Sequence, residues 1–390
     1  MKKALGIFVA LCLTILLFTG STVAESEPIV LGFSGPLTGD SADFGEHALY
    51  GAQVAVNQIN ANGGLLGGRM LSIVSYDDKN IGEEAASVAE LLASNDDICA
   101  IVSQNYSSGV ALVAAPLIQE AGIPTISNSA SHPDVTKIGD YIFRNHMIET
   151  VELEYAFQMP SISGAHKLGI VSMMSDFGES ITNAFSKWYN QYKGGLDWEL
   201  ACISWFEEGT VDFSANISEL IAAGCDTIMF TAEYNNLASF AIQLRKQDAD
   251  INIIGLMTCY TGKLIELAAD AVEGMFLYTS FNPHSENPLI QSFAKDYAVL
   301  TNGGEPDFIA ANAYDSTMMI AAAIANCGST DRAAIKDALY KTTIDSTAGR
   351  LSFDKNGEAV KSCVMFKVEN GEFIEIPDAF MFWDDFIAGL

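Results

Sequence analysis

The strongest constraint on the fold is an alternation of short apolar segments with helical patterns. Strands are expected at residues 29–33, 71–76, 98–102 and 123–127, and again at 168–172, 200–205, 227–230, 251–255 and 275–279, with helices between the strands of each series. Apolar strands separated by helices predict parallel sheets covered on both faces. Since a domain usually has roughly 100–200 residues, two such series in 390 residues predict two doubly wound α/β lobes.

The order of elements changes after residue 287. Three helical patterns follow without strands between them, at residues 288–300, 307–325 and 332–341, and the chain then alternates like antiparallel strands at 351–353 and 364–368, around turns at Asn356-Gly357 and Asn370-Gly371. Helices without strands of their own must cover a sheet formed elsewhere. We therefore expect them to return to the first lobe and the last strands to return to the second, so that the chain crosses between the lobes three times.

The first 24 residues have the pattern of an export signal. Lys2 and Lys3 precede an apolar run over residues 4–18, and small residues follow at 22–24. The run is shorter than the roughly 20 residues of a membrane-spanning helix, and Cys12 lies inside it, unlike a lipidation site. We expect a cleaved signal peptide over residues 1–24 and a mature protein that is periplasmic or secreted, without a lipid anchor. No later stretch is expected to span a membrane.

Charge and cysteine spacing exclude several classes of protein. With 20 Lys and Arg against 49 Asp and Glu, the formal charge is −29, which disfavours binding to nucleic acid or to anionic lipid. The six cysteines of the mature chain contain no CxxC pair, so neither a zinc site nor a redox motif is predicted; they are Cys99, Cys202, Cys225, Cys259, Cys327 and Cys363. Most are expected to be buried thiols, and Cys202 with Cys225 is the one candidate disulfide.

Hydroxyl-rich loops mark the candidate binding site. Ligands of doubly wound sheets bind beyond the carboxyl ends of the strands, where this chain has small polar residues at 34–39, 106–109 and 127–131. Ser107 and Ser108 lie at the start of a helix, whose free N–H groups and dipole favour an anion such as a carboxylate. Capping of the helix by these serines is the alternative, and their spacing favours neither reading.

Catalytic motifs are missing from the sequence. No GxSxG elbow of an α/β hydrolase is present, and His132 and Asp134 follow Ser129 too closely for a catalytic triad. The five histidines are scattered and form no HExxH pair. We therefore expect a binding protein with no catalytic residues, no metal and no cofactor.

Several sequence segments together resemble those of type I periplasmic binding proteins, in the Leu/Ile/Val-binding branch of the ABC-transporter receptors. The segments are residues 34–39, 44–45, 51–64, 76–78, 115–116, 122–124, 129–133, 176–178 and 349–357. The ordered set spans the mature chain. The resemblance implies a first lobe of residues 28–143 and 280–349, a second lobe of 145–278 and 351–390, and hinges near Arg144, Thr279 and Arg350.

The resemblance also implies a ligand site between the lobes. A carboxylate would be held by Ser107, Ser108 and Ser131, and the carbonyl of Ser129 would face an ammonium group. Phe44 and Phe177 would line the side-chain pocket, with Glu233 or Tyr234 in the second-lobe loop. The complete set of expected ligand-binding residues is Phe44, Tyr106, Ser107, Ser108, Ser129, Ala130, Ser131, Phe177, Glu233, Tyr234 and Met257.

Met257 departs from the family pattern, which often has at this position an acid that neutralises the ligand ammonium. Either Glu233 supplies that charge, or the ligand is a carboxylate, amide or aromatic acid without an α-amino group. The function implied is capture of a small hydrophobic amino acid, of the branched-chain type, or a related carboxylate by a monomer, with delivery to the membrane permease of an ABC transporter. A ligand-sensing module that reports to a receptor is the competing interpretation.

Overall fold

The first of the two large β-sheets is built from the N-terminal series of elements. The computed structural model describes residues 27–247 and 249–390, so the predicted signal peptide lies outside the described residues. Strands β1 to β5 are Ile29–Gly35, Leu71–Asp77, Ile98–Gln104, Thr125–Ser127 and Ile142–Arg144, and helices α1 to α3 are Ala42–Ala61, Gly82–Ser94 and Ser108–Glu120. The strands are parallel, in the order β2-β1-β3-β4-β5.

The second series forms the larger sheet. Strands β6 to β10 are Lys167–Met173, Glu199–Phe206, Thr227–Thr231, Asn252–Gly255 and Phe276–Thr279, and helices α4 to α8 are Glu149–Ser163, Asp176–Tyr192, Ser214–Ala223, Tyr234–Lys246 and Gly262–Ala268. These five strands are parallel. The structure therefore has the two doubly wound parallel sheets that the alternation predicts.

The C-terminal segments are shared between the two sheets. Helices α9 to α11 are Pro288–Leu300, Phe308–Cys327 and Arg332–Leu339; strands β11 to β14 are Thr343–Ser346, Gly349–Ser352, Val364–Glu369 and Glu372–Ile376; and α12 is Trp383–Gly389. Helices α9 and α10 pack on α1 of the first lobe. The β13–β14 hairpin adds two antiparallel strands to the second sheet, in the order β14-β13-β10-β9-β8-β6-β7.

One predicted boundary is displaced. Residues 351–359 were expected in the second lobe, but Phe353 packs on Phe143 with ring centroids 5.1 Å apart, and Glu358 pairs with Arg144 at 2.6 Å. Two antiparallel strands around Asn356-Gly357 were also expected; the structure has an isolated antiparallel bridge there, between Phe353 and Ala359, and Leu351 pairs instead with Ile344 of β11. The segment up to residue 359 therefore packs on the first sheet, and the chain enters the second sheet only after it.

Two other expectations concern helix α10 and the cysteines. By length and composition α10 is apolar enough to cross a membrane, contrary to the expectation for the mature chain, but most of it is buried inside the first lobe. All six cysteines of the described residues are free thiols. The sulfur atoms of Cys202 and Cys225 lie 3.7 Å apart, at hydrogen-bonding distance but without a disulfide bond.

Both sheets reverse their strand order beside the same cleft. In the first sheet β1 lies between β2 and β3, and in the second β6 lies between β7 and β8. Loops diverge at such a reversal and leave a crevice at the carboxyl ends of the strands. Because α3 of the first lobe contacts α5 of the second, the two crevices face each other across one interlobe space.

Candidate functional site

A cavity of about 600 Å³ lies between the lobes. Its walls are the loops that follow strands of both sheets, together with residues from the hinge. Eight of the eleven predicted ligand-binding residues line it: Tyr106, Ser107, Ser108, Ser129, Ser131, Phe177, Glu233 and Met257. The structure therefore brings the hydroxyl loops of the first lobe to the same space as the aromatic and acidic residues of the second.

Three predicted residues do not line the cavity. Phe44 stacks behind Tyr106, with ring centroids 4.5 Å apart, and meets the edge of the Tyr234 ring at 5.6 Å. Ala130 is buried, and its carbonyl accepts a hydrogen bond from Arg144 at 2.9 Å. Phe44, Ala130 and Tyr234 therefore lie behind the wall in this conformation, and their direct contact with a ligand stays a prediction.

Ser107 is positioned by a buried polar network. The Asp78 carboxylate accepts hydrogen bonds from Asn105 at 2.7 Å and from the Asn80 amide at 2.9 Å. The Asn80 side chain in turn accepts from the Ser107 amide at 3.3 Å. Burial is the largest influence on Asp78 and raises its pKa. This network joins the loops after β2 and β3 and fixes where helix α3 begins.

The hydroxyl of Ser107 is free to meet a ligand. Ser107 precedes α3, yet its side chain makes no capping hydrogen bond, which removes the capping alternative for this residue. The first amides of a helix have no intrahelical acceptor, and the positive end of the helix dipole stabilises an anion by about 0.3–1 kcal/mol. The start of α3 therefore presents donors to the cavity.

A second loop is held against the first. Ser108 Oγ accepts a hydrogen bond from the His132 amide at 3.3 Å, so the hydroxyl keeps its own proton to donate. The guanidinium of Arg144 donates to the carbonyls of Ala130 and His132, both at 2.9 Å. Ser131 is thus carried on a loop that is anchored from two sides.

The opposite wall belongs to the second lobe. Phe177 and Met257 supply apolar surface, and Glu233 adds a carboxyl group at the start of α7. Burial raises the pKa of Glu233, and the nearby charge of Glu208 raises it further. The site therefore has donors on one side and apolar and acidic groups on the other.

Several lining residues were not anticipated. Those that follow strands could have been found from the rule that ligands bind at strand ends; they include Asn80, Met173, Ser175 and Glu208. His146 follows β5, a strand that the sequence analysis does not predict, and Glu152 and Phe308 come from helices α4 and α10. No motif in the sequence marks those three. Within the described residues, no group of three or more His, Cys, Asp or Glu side chains could hold a metal ion.

Direct contacts join the lobes beside the cavity. Asp43 of α1 accepts a hydrogen bond from the Tyr234 hydroxyl and pairs with Lys263 at 3.6 Å. On another side, a Cβ added at Gly109 in the first turn of α3 would clash with the Asp176 carboxylate of α5. The structure is therefore closed around the cavity, and glycine at position 109 permits this approach.

Comparisons with known proteins agree with this arrangement. A leucine-, isoleucine-, valine-, threonine- and alanine-binding protein of Pseudomonas aeruginosa is 26% identical over 340 residues, which are 85% of this chain and 87% of that protein. A branched-chain amino acid transporter substrate-binding protein of Streptococcus pneumoniae, solved with isoleucine, is 26% identical with a TM-score of 0.81, and the match covers 90% of this chain and 100% of that one.

A third comparison concerns the fold alone. A solute-binding protein of an ABC transporter from R. palustris, solved with benzoate, is 20% identical with a TM-score of 0.80, over 90% of this chain and 95% of that one. The family model described as periplasmic binding protein matches residues 28–372. With two doubly wound lobes closed around one cavity, this chain belongs to the periplasmic binding protein family.

Proposed function

We propose that this chain is the substrate-binding protein of an ABC importer and captures a small hydrophobic amino acid, of the branched-chain type, between its lobes. The observation that carries the proposal is that Ser107 and Ser108 at the start of α3 and Ser131 on the loop after β4 line the same interlobe cavity as Phe177 and Met257. The names of the relatives support the same ligand class. The protein is a binding protein in this proposal, not an enzyme.

The chemistry of the two walls matches the two ends of such a ligand. A carboxylate placed at the start of α3 accepts hydrogen bonds from hydroxyls and amides, each contributing about 1.5–3 kcal/mol when one partner is charged. The apolar side chain of the ligand lies against Phe177, Met173 and Met257. Closure of the lobes around the ligand removes water from these contacts and gives the permease a distinct liganded form.

Membership of the family also supports a proposal about location and partners. Membership of a periplasmic binding protein family implies an extracytoplasmic location. We propose that residues 1–24 are cleaved on export, that the mature protein is a free monomer, and that it delivers its ligand to a membrane permease. Mass spectrometry of the secreted protein tests the cleavage, and co-purification with the permease tests the partner.

A thermal-shift screen of amino acids and organic acids tests the ligand class. A ligand that binds only the folded state at 100 times its Kd adds about 2.7 kcal/mol of stability. We expect leucine, isoleucine or valine to raise the Tm clearly, with aspartate as a polar control that does not. A flat response to the whole panel contradicts the proposal, and a response to benzoate but to no amino acid replaces it with the aromatic-acid alternative.

Replacing Tyr234 with phenylalanine is expected to speed ligand release. The variant loses the hydroxyl that donates to Asp43 across the lobes and keeps the ring beside Phe44. Asp43 is partly exposed, so we expect the closed state to lose about 0.5–1.4 kcal/mol of stability, which corresponds to a roughly two- to tenfold faster dissociation of leucine in stopped flow. Tyr189→Phe is the control, because that ring packs on Trp198 away from the cavity. A dissociation rate that is unchanged in Tyr234→Phe contradicts a role of this hydrogen bond in holding the lobes together.

A further inference from the structure

The described residues that line the cavity include several acids but no Lys or Arg. Five of these lining residues carry a carboxyl group. They are Asp40, Glu152, Asp176, Glu208 and Glu233. A concave site with charges of one sign raises the local concentration of oppositely charged groups. The walls therefore favour a ligand with a positively charged group.

Glu152 differs from the other four acids because it is buried and incompletely paired. Its exposed fraction is 1%. The Tyr278 hydroxyl donates to Oε1 at 3.1 Å, whereas Oε2 has no hydrogen-bond partner among the described residues. Burying a polar oxygen without a partner is costly, and native proteins usually satisfy such groups. A carboxyl oxygen of this kind in a cavity wall indicates a donor on the ligand.

The position of Glu152 places it beside the expected ammonium site. Helix α4 begins at Glu149, whose amide donates to the carbonyl of Ser131 at 2.9 Å. Glu152 lies in the first turn of that helix, next to the loop of Ser129 and Ser131. Met257 in the opposite wall is uncharged and cannot pair with a cation.

We propose that Glu152 binds the positively charged nitrogen of the ligand, in place of the acid that Met257 lacks. The site then selects amine-bearing ligands and rejects carboxylic acids of the same shape that have no amino group. This inference rests on the proposed function, since it assigns the ammonium partner of the amino acid.

The protonation of Glu152 supplies an independent signature. Burial raises its pKa to about 8, the Tyr278 hydroxyl opposes this, and the charge of Glu149 adds to it. The titratable groups that face Glu152 are Glu149 on its own helix, Tyr278 from β10 and Cys363 before β13. At pH 7 the free protein therefore holds the neutral acid. Pairing with an ammonium ion ionises it, and the proton leaves to the solvent while the ligand keeps its charge.

Calorimetry with two probes of one shape tests the proposal. L-Leucine and 4-methylpentanoate differ only in the amino group. We expect the wild-type protein to bind 4-methylpentanoate at least a hundredfold more weakly than leucine, and Glu152→Gln to weaken leucine at least tenfold. Glu154→Gln is the control, because Glu154 lies on the same helix and is not in the cavity wall.

Proton release distinguishes pairing from a structural role. Titrations of leucine at pH 7 in phosphate and in Tris should show release of about one proton by the wild-type protein and none by Glu152→Gln. The wild-type measurements do not depend on whether the variant folds. Leucine binding that is unchanged in Glu152→Gln, or binding without proton release, overturns the role of Glu152 and leaves the proposed function intact. A wild-type protein that binds no amino acid overturns both.

Discussion

Replacing Arg144 with methionine is expected to lower the free energy of unfolding by about 3–5 kcal/mol, the usual cost of leaving one member of a buried ion pair without its partner. Arg144 has an exposed fraction of 0%. Its guanidinium donates to both oxygens of Glu358, at 2.8 Å and 2.6 Å, and also holds the carbonyls of Ala130 and His132. The substitution removes the guanidinium from the Glu358 carboxylate, which keeps the Thr136 hydroxyl as a donor, and removes one donor from each of the two carbonyls. Denaturant unfolding monitored by circular dichroism measures the change.

Two further variants distinguish the stability cost of breaking the ion pair from the cost of removing an arginine side chain. Arg332→Met removes a guanidinium that donates to the carbonyls of Ile98 and Asn95, without a carboxylate partner and away from the cavity. We expect it to cost about 1 kcal/mol. Replacing both Arg144 and Glu358 with apolar residues should recover part of the loss, since no buried charge is then left alone. A loss below about 1 kcal/mol for Arg144→Met contradicts the assigned role.

Local patterns in the sequence account for most of the secondary structure. Helix α9 begins and ends where the apolar spacing predicts, at Pro288 and Leu300. The β13–β14 hairpin turns at Asn370 and Gly371, which have φ values of 55° and 74°. Such a two-residue turn needs positive φ at both positions, and Asn-Gly adopts it readily. These features depend on residues near each other in the chain, so the sequence alone reveals them.

The elements that were missed depend on distant contacts. Helix α4 buries residues on several faces, among them Glu149, Glu152 and Gln158, and so lacks the single apolar stripe that marks a surface helix. The placement of residues 351–359 depends on an ion pair between positions 144 and 358. No local pattern in the sequence reports a partner more than 200 residues away.

The candidate site likewise contains residues that the sequence predicts and residues that it does not. Hydroxyl residues that follow strands were predicted, because a doubly wound fold places the carboxyl ends of its parallel strands at the cleft. Glu152 and His146 come from α4 and from the hinge before it, and in the sequence a buried acid cannot be distinguished from an exposed one. Phe44 has the residue type of a pocket wall, but Tyr106 stacks over it and takes that position.

Replacing Ser107 and Ser131 together with alanine is expected to weaken leucine binding by more than a hundredfold. Each hydroxyl lies in the cavity wall at the start of α3 or in the loop anchored beside it. A hydrogen bond to a charged carboxylate contributes about 1.5–3 kcal/mol, and 1.4 kcal/mol is about tenfold in affinity. Ser107 makes no capping bond, so its replacement should leave the ligand-free Tm almost unchanged.

Calorimetry of Ser107→Ala, Ser131→Ala and the double variant apportions the effect. Each single change should weaken leucine binding by more than about tenfold. Ser87→Ala on α2 is the matched control, because its hydroxyl bonds only within its own helix, to the carbonyl of Glu83. A double variant that binds leucine as tightly as the wild type removes both hydroxyls from the site. A double variant that loses binding only together with a large fall in Tm instead assigns them to the fold. Lost affinity at an unchanged Tm is the result that places the ligand carboxylate at the start of α3.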